Sequence, residues 1–169
     1  MSWVMTRNFR GISGLKPAAT FRVYCDILKH GKFYEVLILR RKDQLVRAAE
    51  LVAGDGRVGH GALGFCHSLD VLRKTRRGWH PTKLAGYVVL VQGALSSGYV
   101  SHEMTHAAYF RLLRSGGKKR PWESVVFNDP SVSEPLAWLQ GWLVAQFWVE
   151  FYQRFPQATD RRPRRLNDT

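Results

Sequence analysis

Residues 102–106 read His102-Glu103-Met104-Thr105-His106, and the chain around them has the periodicity of a helix. Side chains four apart on a helix share a face, so the two imidazoles can address one metal ion. Glu103 is turned about 100° from His102, which puts its carboxylate beside the metal rather than on it. A general base acting on water at a metal belongs there. The flanks agree. Lys83 to Val91 is β-branched and aromatic, the composition of a buried strand. Ser96 or Ser97 can N-cap the HExxH helix, and Ser115-Gly116-Gly117 supplies a stop. Between them Val100, Ala107, Phe110 and Leu113 give a helix over residues 99–113 its apolar positions. A core histidine bonded to backbone is the plain reading of either His alone; two at this spacing with Glu between them favour the metal.

A zinc site open to chemistry needs a third protein ligand. Beyond His106 the chain offers Glu123, Asp129, Glu134, Glu150, Asp160 and Asp168, with no His or Cys. Glu134 is the best placed: it comes after the turn-forming Asn128-Asp129-Pro130-Ser131 and is expected to open a long helix, with Pro135 in the first turn. Complementing the helix dipole is the plain alternative for Glu134. Glu150 lies about 24 Å further along the same helix, so the two cannot share one ion.

Residues 101–108, Ser-His-Glu-Met-Thr-His-Ala-Ala, with Glu134-Pro135-Leu136-Ala137, resemble the gluzincin branch of zinc metallopeptidases, and more narrowly the minimal ImmA/IrrE-type and related phage-borne enzymes. The similarity runs from the strand before Gly93 to Leu143. It implies Zn2+ held by His102, His106 and Glu134, with Glu103 as base, and an intracellular protein or peptide as substrate. Tyr99 and His67 are the candidates for transition-state support. One position departs from the pattern. Some gluzincins carry an acid one turn after the Glu ligand; here it is Trp138, whose indole only donates. Accepting the N–H of a ligating His then falls to Asp129, Asn128 or a backbone carbonyl.

The second constraint is charge. The 169 residues carry 26 Lys and Arg against 13 Asp and Glu, a formal net charge of +13. The basic residues cluster at Arg40–Lys42, Arg73–Arg77, Lys118–Arg120 and Arg161–Arg165. Such a field attracts polyanions: nucleic acid without sequence preference, or an acidic protein. No helix-turn-helix, zinc-finger or RNA-recognition signature accompanies it. Cys25 and Cys66 lack metal or disulfide spacing and read as small half-buried hydrophobes, consistent with a reducing compartment. The most apolar run, Leu136 to Tyr152, is interrupted by Gln140, Gln146 and Glu150, which argues against a membrane span, and no secretory pattern opens the chain. The expected location is cytoplasmic, in a phage- or mobile-element-encoded setting; oligomeric state is left open.

Residues 20–28 and 33–40 read as a hairpin turning at Lys29-His30-Gly31-Lys32, with Phe21, Val23, Cys25 and Ile27 on one face. Residues 43–53 read as an amphipathic helix. The glycine-rich stretch 54–64 lacks phosphate-loop spacing and is expected to be a mobile loop. His60, His67 and His80 are weak candidates near a cleft. The expected fold is α+β: a small mixed or antiparallel sheet with an N-terminal hairpin, packed on the HExxH helix and a long aromatic C-terminal helix. It forms one domain over 1–158, with the HExxH core at 83–155 and a basic tail at 159–169. The strand ending near Val91 is expected to hold an extended peptide by edge pairing. The sequence thus points to a zinc metallopeptidase. The alternative is a non-catalytic basic inhibitor, or a nucleic-acid-associated binding protein, that retains the fold.

Overall fold

A computed structural model describes residues 12, 14–26, 31–68, 72–76, 78–115 and 130–156. Strands β1 (Ala19–Tyr24), β2 (Phe33–Leu39), β3 (Gly64–Ser68) and β6 (Leu84–Val91) form one sheet in the order β1-β2-β6-β3. The β1/β2 and β3/β6 pairs are antiparallel and β2/β6 is parallel, so the sheet is mixed. Between β3 and β6 the chain makes a separate two-stranded ribbon, β4 (Leu72–Thr75) with β5 (Gly78–Pro81). Helices α1 (Gln44–Ala53), α2 (Ser97–Ser115) and α3 (Pro130–Arg154) complete the element order.

Alternation along the central strands divides the core into two layers. Tyr34, Val36 and Ile38 of β2, with Val88 and Leu90 of β6, pack beneath Met104, Ala107 and Ala108 of α2 and Leu139, Leu143 and Phe147 of α3. On the opposite face Leu37, Leu39, Val89 and Val91 meet Leu45, Ala48, Ala49 and Val52 of α1. The fold is therefore α+β with helices on both faces of a mixed sheet. Every residue of β6 is buried, as its apolar composition requires.

The alternation slips once. Pairing of β2 with β6 jumps from Phe33↔Leu84 to Tyr34↔Gly86, so Ala85 is an extra residue. Gly86 sits there at φ 155°, and a Cβ would overlap the His67 carbonyl oxygen. Only glycine fits this bulge without strain.

The structure corrects several of these expectations. Strand β1 stops at Tyr24, so Cys25 lies past its end, while Ile27 and the turn at 29–30 fall outside the described residues. Residues 54–64 carry local structure: Gly54 caps α1 in the left-handed conformation, Asp55 caps a 3-10 turn at Gly56–Gly59, and the chain then enters β3. No periodic signal marks β3 in advance, because it is only five residues long and begins with Gly. Strand β6 is central, flanked by β2 and β3, so it has no free edge for a peptide; the free edges belong to β1 and β3. Helix α3 begins at Pro130, so Glu134 lies in its second turn and Pro135 inside the helix. The tail 159–169 and the clusters at 118–120 and 161–165 lie outside the described residues.

At its last residue, Tyr24, the β1 edge is covered by α3. Gln146, buried in that helix, accepts the Tyr24 N–H at 3.0 Å and donates to the Tyr24 carbonyl at 2.8 Å. The Trp142 indole N–H adds a 3.0 Å bond to the same carbonyl. One side-chain amide thus does for Tyr24 what a neighbouring strand would do.

Candidate metal centre

Helix α2 is anchored at its first turn. The Ser96 hydroxyl accepts the Tyr99 N–H at 3.2 Å. The buried face of α2 presents Val100, Met104, Ala107 and Ala108 to the sheet, which turns His102 and His106 outward. Their Nε2 atoms stand 3.1 Å apart with the rings edge to face. Two nitrogens on a tetrahedral zinc, each about 2.0–2.1 Å from the ion, lie about 3.3–3.4 Å from one another. The pair is therefore set close to chelating geometry by the helix alone. The His106 ring lies along Phe110 at 6.3 Å between centroids, and Tyr99 flanks His102 at 6.4 Å. Burial, then the neighbouring His102 charge, holds the His106 pKa below the usual imidazole value. A depressed pKa keeps the ring neutral, the form that ligates metal.

Glu103, about 100° round the helix from His102, lies in the seam between α2 and β3 and is only 4% exposed. Burial pushes its carboxyl pKa up; the positive charge of His102 and a hydrogen bond donated by the Cys66 backbone N–H oppose the shift without cancelling it. The Cys66 amide faces away from β6. Leu63 and Val91 form a bonded pair at that end of the ladder, with the Val91 N–H donating to the Leu63 carbonyl at 3.1 Å. Alternation along an antiparallel pair then leaves Cys66, opposite Val88, with its N–H on the free edge. The Cys66 side chain is half-buried against the α2 face, and burial followed by the Glu103 charge raises its thiol pKa well above the ordinary value.

Of the transition-state candidates, Tyr99 lies at the site, but its hydroxyl is engaged: it accepts the Leu63 N–H at 3.1 Å, tying the start of β3 to the first turn of α2. His67 sits half-buried on β3, opposite Tyr87. His60 and His80 are exposed. Glu134 is exposed on α3 and does not converge on the histidine pair; among the described residues no group of three His, Cys, Asp or Glu is gathered. Helices α2 and α3 run antiparallel, with Ser101 meeting Gln140 at 2.7 Å while Arg111 and Leu112 share a cavity with Pro135, Trp138 and Leu139. Glu134 is thus level with the far end of α2 from His102. Trp138, where an acid would accept a ligand's N–H, is 55% exposed and stacks on Trp142. The other acceptors considered, Asn128 and Asp129, lie outside the described residues.

Sequence reasoning missed the Cys66 amide and the Tyr99–Leu63 bond. Both depend on β3 lying beside α2, and a backbone donor leaves no mark in residue type. No helix among the described residues is long and apolar enough to cross a membrane. Comparison of the chain with family models, curated proteins and solved structures finds no match.

Proposed function

We propose that this protein is a zinc-dependent hydrolase acting on peptide bonds, with His102 and His106 as ligands and Glu103 as general base. The observation that carries the reading is the 3.1 Å approach of two outward imidazole nitrogens, with the buried carboxyl of Glu103 on the residue after His102. Bound zinc supplies Lewis-acid polarisation of a carbonyl and acidifies water. Glu103 takes the proton of the attacking water and returns it to the departing amine, and a raised pKa suits a group that must do both near neutrality. The Cys66 N–H fixes its carboxylate, while Tyr99 holds the start of β3 in place. The third ligand assigned from the sequence, Glu134, reaches the pair only if the first turns of α3 move.

A Glu103→Gln variant tests the assignment, because it keeps size and hydrogen-bonding shape while removing the base. Equal zinc content with peptide hydrolysis reduced at least about a hundredfold supports the reading. Undiminished hydrolysis removes Glu103 from the mechanism. The rival, a non-catalytic binding protein, draws on the separation of Glu134 from the histidines. It gains if zinc binds and no variant of Glu103 alters the protein's effect in cells.

A further inference from the structure

Helix α3 buries one side and leaves an apolar face open to water. Trp138 and Val149 are 55% and 56% exposed and Tyr152 is 41% exposed, with Gly141 and Ala145 exposed between them. Their spacing, 138-141-145-149-152, runs in steps of three, four, four and three residues, so the five lie on one stripe about 21 Å long. Such a stripe on the solvent side of a folded domain calls for a partner.

We propose that this stripe is the seam of a homodimer in which two α3 helices pack antiparallel about a twofold axis at Ala145. The stripe is complementary to itself only in that arrangement. Reversing the helix about residue 145 sets Trp138 against the partner's Tyr152, so an aromatic ring meets an aromatic ring at each end. It sets Val149 over Gly141, where a Cβ would meet nothing within 4 Å, so a branched side chain fills an open place. Ala145 faces its own copy on the axis, which is the self-pairing an isologous interface requires, and two small residues near the crossing let the helices approach closely.

Charge selects a second copy over other approaches. A molecule of net charge +13 repels its own kind wherever its cations face outward. Between Arg120 and Arg154 the chain has no Lys or Arg at all. The stripe carries no Lys or Arg of its own, so two such molecules meet there with the fewest opposing cations; Arg111 beside Trp138 and Arg154 beyond Tyr152 stand at its ends, Arg154 paired with Glu150. A seam of one helix per subunit buries less than the roughly 800 Å² per partner of a standard interface, so the association is weak and concentration-dependent.

The test is sedimentation velocity of the full chain from low to high micromolar concentration in about 0.5 M salt, where charge repulsion and polyanion contamination are both suppressed. The expected result is a monomer–dimer equilibrium whose dissociation constant rises at least about tenfold in Ala145→Arg, an exposed position whose substitution leaves the fold intact. Oxidation of Ala145→Cys should give a covalent dimer through position 145, and Ala137→Cys, off the stripe, should give far less. A monomer at every concentration, a dimer indifferent to Ala145→Arg, or cross-linking equal at both positions would each overturn the proposal. So would a monomer that binds anionic vesicles in a Trp138-dependent way, because the stripe would then serve a lipid surface.

Discussion

The backbone amide of Cys66 donates to the carboxylate of Glu103, joining the free edge of β3 to the HExxH helix. Because that N–H points away from β6, proline at position 66 removes the bond without cutting the ladder. Cys66→Pro is expected to keep the fold and the zinc. A donor to the ionised carboxylate lowers its pKa, so its loss raises the Glu103 pKa further. The base must be ionised to act, and the acid limb of the pH–rate profile should therefore move to higher pH. An unmoved limb would mean that the Cys66 amide does not control Glu103.

Gln146 holds both backbone groups of Tyr24. Gln146→Leu keeps the volume and strips both partners, leaving a partly buried N–H unsatisfied and the carbonyl with only the Trp142 indole. A loss of about 1–3 kcal/mol is expected in urea unfolding, with the slope of the transition unchanged.

Glu35 lies half-buried on β2, opposite Arg22 on β1 and Tyr87 on β6. Burial raises its pKa, and the Arg22 charge offsets only part of the rise. A folded pKa above the unfolded value, about 4.3, means that the protonated form is favoured in the fold. Its contribution is present below the unfolded value and lost as pH climbs through the folded one. Glu35→Gln should therefore be more stable than the parent at pH 7 and match it near pH 4, read from unfolding midpoints at the two values.

The clusters at Arg73–Arg77 and Arg161–Arg165 are expected to give weak binding to duplex nucleic acid that falls steeply with salt, as neutralised phosphates release counterions. Truncation at Asp160 should flatten that slope and leave zinc content unchanged. Absence of binding at low salt would assign the charge to an acidic protein or to solubility.

Much of this architecture is legible in the residues. The HExxH helix declares itself by periodicity and by Ser96, which caps it; β1, β2 and α1 emerge from alternation and from Gly54. Tertiary pairing sets the features that escape. Strand β3 is short and gains its identity only against β6, and its arrival makes β6 central, with no free edge. Helix α3 starts at Pro130 rather than Glu134 because Pro130 and Pro135 are both acceptable first-turn prolines, and the earlier one wins. Glu134 consequently sits a turn into the helix, away from the histidines. A third ligand depends on which elements meet, and that information does not reside in spacing.

Zinc titration of metal-stripped protein, with thermal unfolding of the wild type beside the His102→Ala/His106→Ala double variant, tests the metal site most directly. The account predicts one equivalent bound by the wild type. At a hundredfold excess over the dissociation constant it gains about 2.7 kcal/mol, a rise of several degrees in the unfolding midpoint. The double variant should bind none and show no rise. Equal zinc uptake and equal stabilisation in both proteins, or no uptake by the wild type, would contradict it.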